Sequence, residues 1–383
     1  MEFSGSVLSP VDAKLLICQL KPFRIGEIGS EAWKAQRFAV EQLNMCTHSN
    51  AVRKVDDYVR AYLLEENQLS TLLHELLTME VWRHRVLPEV RGGIESNPAA
   101  GYLYCDYESI LVNLLECICF HEDVVLGLGE DVLELIDYAW RQVSALLGER
   151  PAGEGEEGLE RKLREGRAGR AMASISLLWF VIDRLERLPL AANNAVLKKS
   201  DLPVGLTEVL LAQPWLRRHS SNDNNKDKSG VEKYQSGRFV PVKGDELLRV
   251  CTPEAHTWFS LHKLLCDPEC RKQYTYTQSR KEIMLRTRRF LNDTLLDQIP
   301  ALVQLQRALE ELSFIEPPSG TEEKFRSMLV IEPVPRIMTS IDNGKQDWRA
   351  EAARMDRQLR DPSERIKDAQ RMASIFDQMF QDQ

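Results

Sequence analysis

Zinc ligands are the first chemistry this sequence suggests, in the run Cys117-Ile118-Cys119-Phe120-His121. Thiols and imidazole are the groups zinc prefers, but the spacing works against a site. The run reads as helix, and residues two apart on a helix project about 200° apart, so Cys119 cannot share a face with Cys117 and His121. Cysteine also packs readily as a small hydrophobe, and core packing is the expectation here. His262, Cys266 and Cys270 fall at i, i+4 and i+8. Pro268 interrupts that face and no partner pair completes a ligand set, so a helix-end core is favoured over zinc. The letters of a dinucleotide-binding turn occur at Gly153, Gly155 and Gly158. Glu154, Glu156 and Glu157 stand between them and would repel a pyrophosphate, and no strand precedes them, so an acidic hinge is expected instead.

The P-loop pattern, the G-x-S-x-G nucleophile elbow and the H-E-x-x-H metal helix are absent from the sequence. Adjacent carboxylates such as Asp56-Asp57 and Glu65-Glu66 lie on helical stretches and read as solvated faces. A chain without an active site is expected, needing no cofactor and no metal. Seven tryptophans are better evidence of binding. Trp33 and Trp348, each among charged neighbours, are expected at the surface, where a tryptophan anchors protein contacts.

The elements that must position these residues are helices. Apolar residues make up 43% and charged residues 28%, enough for a real core, and the net charge is -8. That acidic balance disfavours a nucleic-acid binder. No run of about 18 uncharged apolar residues occurs, so no membrane insertion is expected. The N-terminus has no basic, apolar leader, and eight cysteines without one suit a reducing, cytoplasmic compartment.

Helical periodicity runs along the chain. Ser9-Pro10 opens a first helix and Ser30 a second, over Glu31 to Met45. Others are expected over Ala51 to Glu66, Leu69 to Val86 (ending before Pro88), Glu108 to Phe120, Glu130 to Leu147 and Leu159 to Leu188. Gly92 to Gly101 and the acidic Glu149 to Gly158 read as loops. Asn193 to Leu216, with its Pro-Val-Gly turn, resembles an armadillo unit, and Thr257 to Tyr274 has a similar look, broken at Asp267-Pro268. Two helices are expected in Ser279 to Leu312, and a final amphipathic pair in Asp342 to Leu359 and Pro362 to Phe380. The fold class expected is all-α, an irregular armadillo/HEAT-like helical stack, with an irregular bundle as the alternative. Three regions follow: 1–148, 159–315 with a disordered loop at 219–237, and 316–383, a proline-containing linker with the last helices.

Three stretches go further than periodicity. Arg24 to Met45 (RIGEIGSEAWKAQRFAVEQLNM), Glu108 to Val143 with ESILVNLLECICFHEDV and DVLELIDYAWRQV, and Arg288 to Gln306 (RRFLNDTLLDQIPALVQLQ) resemble the zinc finger MYND domain-containing protein 10 family. The resemblance runs from about Val11 to Asp356. It implies a cytosolic factor that stabilises axonemal dynein heavy-chain intermediates during assembly of ciliary arms. It also implies work alongside a leucine-rich-repeat assembly factor, an FKBP-type immunophilin and heat-shock chaperones. Candidate protein-contacting residues are Trp33, Asp297, Gln298 and Trp348. The alternatives are a general armadillo-like adaptor without a ciliary role and, less favoured, a hydrolase or transferase. The family takes its name from a C-terminal zinc finger dense in Cys and His, and here no cysteine follows Cys270. The resemblance therefore carries the helical body and not zinc binding. The purified chain is expected to hold no stoichiometric zinc. Elemental analysis finding about one zinc per chain that survives mild chelation would contradict this.

Overall fold

Capping residues set most of the helix starts and backbone breaks set the ends. The computed structural model describes residues 8–148, 158–218, 230–316 and 334–380, with the side chains of 98 and 374–380 left aside. These residues form an all-α helical stack with one small sheet. The chain divides into two units, Met1–Glu134 with Ala152–Arg170 and Val334–Gln383, and Leu135–Pro151 with Ala171–Pro333. The segment from Val334 onward, read from sequence as part of a separate 316–383 region, thus belongs to the first unit.

In the first unit, the Ser9 hydroxyl accepts the Asp12 N–H at 3.2 Å and opens the Pro10–Cys18 helix. Ser30 does the same for Trp33 at 3.2 Å and opens Glu31–Arg53. That helix overruns its expected end at Met45, because neither Gly nor Pro interrupts the sequence until Lys54 turns left-handed at φ 55°. The next helix therefore starts at Tyr58 rather than Ala51, with Asp57 as its cap. Leu69–Arg85 threads the core on Leu72, Leu73, Leu76 and Leu77, all fully buried. Pro88 ends nothing further along: it occupies the first turn of Leu87–Glu95, where its missing N–H has no cost.

Gly92 and Gly93, expected in a loop, lie inside the Leu87–Glu95 helix. A Cβ on Gly93 would stand 2.8 Å from Asp356 Oδ1 and 3.2 Å from Leu359. The glycine lets the Trp348–Arg360 helix approach the backbone closely. The rest of the expected loop is helical too, as Pro98–Ala100 and a π-helical turn over Gly101–Cys105 that leads into Tyr107–Cys119.

In the second unit, the apolar end of Gly158–Asp183 buries Met172, Ile175, Leu178 and Ile182 as a core helix. The expected Pro-Val-Gly turn is the first turn of the Leu202–Ala212 helix, for the same reason that Pro88 fits its own. Thr252–Cys266 and Pro268–Gln273 break at Asp267, whose Oδ1 accepts the Glu269 and Cys270 N–H groups at 3.0 Å each. Gln278–Leu285, Asp293–Gln298 and Leu302–Phe314 complete the unit.

The sheet corrects the reading of 219–237 as one disordered loop. Residues 219–229 lie outside the described ones, but Val231–Gln235 is a strand (β2) between Leu216–Arg218 (β1) and Arg238–Val242 (β3), antiparallel to both. Leu216 pairs with Lys233, and Gln235 with Arg238. Ser236 and Gly237, at φ 47° and 82°, supply the two positive-φ positions of a tight hairpin turn. Lys233 is buried and donates to the Leu247 and Arg249 carbonyls at 3.1 and 2.6 Å, with Glu254 3.2 Å away. Arg217 lies 3.5 Å over the Phe239 ring. The acidic segment 149–157 and residues 317–333 also lie outside the described residues.

Gly205 sits against the Trp140 indole: a Cβ there would meet Cη2 and stand 2.6 Å from Cζ2. Gly205→Ala is expected to cost about 1–3 kcal/mol through overpacking. Calorimetry should show a lowered Tm and a smaller loss in a Trp140→Phe background, where the ring leaves room.

Candidate protein-binding surfaces

The stretches most specific to the family resemblance prove to be structural. Trp33, expected at the surface, is only 1% exposed. Its indole stacks on Tyr104 at 5.4 Å with 5° between planes and meets Tyr107 edge-on at 5.4 Å. Trp82 lies 6.0 Å from Tyr104 in the same aromatic cluster. The charged neighbours that suggested a wet tryptophan are themselves tied into the fold, so Trp33 is withdrawn as a contact residue. Trp348 is half-buried at the start of its helix, with the Arg85 guanidinium 5.9 Å over its ring.

In the second unit, Asn292 caps Asp293–Gln298, accepting the Leu295 N–H at 3.0 Å. Gln298 accepts from the Val250 N–H at 2.9 Å and donates to the Leu248 and Thr294 carbonyls at 3.0 Å. Both ends of its amide are spent on holding the 248–250 segment. Asp297 is exposed. Of the four residues expected to contact partners, Trp348 and Asp297 retain accessible surface not already committed to such internal bonds.

The helix that begins after Ser30 carries two buried cations. Arg37 donates to the Leu103 and Tyr102 carbonyls at 3.3 and 3.1 Å, lies 4.3 Å over the Tyr102 ring and pairs with Glu41. Lys34 has no exposed surface, and its ammonium lies 2.6 Å from Asp368, 3.2 Å from Glu364 and 3.7 Å from Glu31. Two of these three carboxylates come from the Pro362–Phe380 helix. Arg371 of that helix returns a bond to Glu31, and Arg365 donates to the Ser96 carbonyl. From the Trp348–Arg360 helix, Arg354 donates to the Ile28 carbonyl at 3.2 Å and Gln358 to the Gly29 carbonyl at 2.6 Å. The Ile28–Lys34 stretch is therefore the seat of both C-terminal helices. Glu31 is held below the usual carboxylate range by Arg371, and Glu364 by Lys367 and then Lys34.

One pair in the second unit has the chemistry of a nucleophile and base. Ser176 Oγ and His256 Nδ1 lie 2.9 Å apart, the contact of a nucleophile with its base. Ser176 is buried, and His256 stands against Trp179 and Phe180, where burial pushes its pKa down to about 4. Burial likewise raises the thiols of Cys105 and Cys117 to about 12 and those of Cys251 and Cys266 to about 11, away from the reactive thiolate. His262, grouped in sequence with Cys266 and Cys270, faces the Gln304 amide oxygen at 3.1 Å. Among the described residues no three His, Cys, Asp or Glu side chains group to hold a metal ion.

Several large apolar side chains are exposed. Val52 and Val55 are exposed where the Glu31–Arg53 helix ends, as is Phe120 after Tyr107–Cys119. Asp57, just beyond the first of these ends, lies within electrostatic reach of both Cys117 and His121. In the second unit Phe314 is 87% exposed at the end of its helix, with Ile315 beside it. No described helix is long and apolar enough to cross a membrane.

Against known proteins, the chain is similar to the zinc finger MYND domain-containing protein 10 homolog of Drosophila melanogaster. The two are 26% identical over 347 residues, covering 87% of this chain and 73% of the relative. The resemblance seen in three stretches thus extends over most of the chain. No family profile matches, and no solved structure does.

Lys34→Met should leave the buried Asp368 carboxylate unpaired, at a cost of about 3–5 kcal/mol. A lowered Tm and faster amide exchange in 362–373 would register it, and adding Asp368→Leu should recover part of the loss. Acid should act on the same contact. The lowered pKa values of Glu31 and Glu364 contribute stability that is present above the ordinary carboxylate pKa and lost as pH falls through the folded values. Exchange in 362–373 should therefore rise on acidification, and change less in the Lys34→Met chain.

Proposed function

We propose that this chain is a cytoplasmic holder of axonemal dynein heavy chains during their assembly, acting by binding and not by catalysis. The observation that carries the proposal is similarity to the Drosophila relative along 87% of this chain. The dynein client, and the assisting leucine-rich-repeat factor, FKBP-type immunophilin and heat-shock chaperones, come from the family resemblance. The physical features are compatible with it. Ser176 and the Cys105 and Cys251 thiols are buried, whereas Val52, Phe120 and Phe314 present apolar surface to water. A holder that prefers a partly folded client protects it from aggregation while bound, and apolar contact is the means to do so.

The test is rescue of null ciliated cells with this chain, read out by heavy-chain abundance in cytoplasmic extract and by arm occupancy in the axoneme. Null cells should assemble immotile cilia without dynein arms, and the chain should restore arms. A Val52→Asp, Phe120→Asp chain that keeps its Tm should restore fewer. Normal arms in null cells would remove the dynein role and leave a general adaptor.

A further inference from the structure

The seat of the C-terminal helices is shaped for a helix. Glycines stand where the Trp348–Arg360 helix comes closest: Cβ atoms on Gly26, Gly29 and Gly93 would lie 3.0, 2.9 and 2.8 Å from Glu351, Gln358 and Asp356. The Ile28 and Gly29 carbonyls accept from Arg354 and Gln358. Ala352, Met355 and Leu359, at i, i+3 and i+7, are the buried side chains of that helix. Apolar anchors at helical spacing, with polar side chains reading main-chain groups between them, are the means by which a groove recognises a helix.

Two features set this contact apart from ordinary core. Its apolar anchorage is thin. Among the described side chains of 336–373, Ile341, Ala352, Met355 and Leu359 are the buried apolar ones, fewer than the Leu69–Arg85 helix buries alone. The ion pairs of Lys34 add little holding power, because these charges regain water when the segment leaves. The fit is also incomplete. Tyr104 is 1% exposed, and its hydroxyl lies 3.1 Å from the same Gly29 Cβ position that Gln358 faces. Glu364, Asp368 and Arg354 are within its electrostatic reach, yet the hydroxyl has no hydrogen-bond partner. A buried hydroxyl left unpaired disfavours the arrangement that buries it. We propose that this seat is a binding site for a helix of another protein, and that residues 336–373 fill it as an internal competitor. The partner's helix carries small or unbranched apolar residues at i, i+3 and i+7 and an amide or guanidinium facing the Ile28 and Gly29 carbonyls. It also places a polar group against the Tyr104 hydroxyl, the bond that the chain's own segment does not make and the one by which the partner displaces it.

Native-state hydrogen exchange on the full chain, with binding of a labelled synthetic peptide of residues 346–373, tests this. Amides of 348–360 should exchange as a group, about tenfold or more faster than those of 72–82, which open with the whole unit. The peptide should bind the full chain. It should bind about tenfold or more tightly to Gln358→Ala and Met355→Asp chains, whose own segment fills the seat a smaller fraction of the time. A peptide carrying Met355→Asp should not compete with it. Exchange at 348–360 that matches 72–82 overturns the proposal, whether or not the variants fold. So does a peptide that binds neither variant while 72–82 stays protected, or one that binds the unaltered chain and the variants alike.

Discussion

A lysine ammonium stripped of water must find carboxylates, and the first unit is arranged around that requirement. Lys34 lies at the first turn of a helix near the start of the chain, yet two of its three partners are more than three hundred residues downstream. Removing an ammonium from water costs several kcal/mol unless opposite charge replaces the lost hydration. Asp368 and Glu364 replace it, and in doing so they bring the end of the chain to its beginning. Glu134 works on the same principle with a different donor: buried, it accepts the Ile337 and Met338 N–H groups at 2.8 Å and neutralises the start of the Arg336–Ile341 helix. Charge buried by one segment and answered by another is what makes the distant C-terminal segment part of the first unit.

Such pairs explain what the sequence could not disclose. Periodicity and caps located the helices, because a helix depends on neighbours three and four residues away; Ser9, Ser30 and Asp267 start helices or cap breaks where their chemistry says they should. Ends were less legible. The step from Met45 to Arg53 contains only residues that neither demand nor forbid a helix, and Pro88 and Pro203 are breakers only if they are not first-turn residues. The hairpin had a local signal in the alternation Val231-Glu232-Lys233-Tyr234 and the Ser236-Gly237 turn, overshadowed by the polar run before it. Trp33 was misplaced because charged neighbours imply water only when they are free, and Lys34 and Arg37 are not.

The resemblance stretches behave the same way. Residues that no generic helix needs, such as those of Ile28 to Trp33 or Asn292 and Gln298, are specific because they answer to one particular backbone: a carbonyl at Gly29 for Gln358, an N–H at Val250 for Gln298. They identify a fold and are poor guides to a contact face. The binding residues of a holder need only be apolar and accessible, a requirement so permissive that sequence alone does not mark them.

Perturbed titratable groups and exposed apolar side chains fall on different residues of this molecule. An active site spends desolvation on a few groups and keeps them open to substrate, so that shifted pKa values and access occur together. Here burial shifts the half-buried His256 and the Cys105 and Cys251 thiols, whereas Val52, Phe120, Phe314 and Ile366 are exposed and have nothing to titrate. Inward charge at Lys34 and outward apolar side chains on the facing helix are one arrangement seen from its two sides. The bonds of Lys34 to Asp368 and Glu364 fix which side of the helix faces the unit and leave Ile366 on the exposed side.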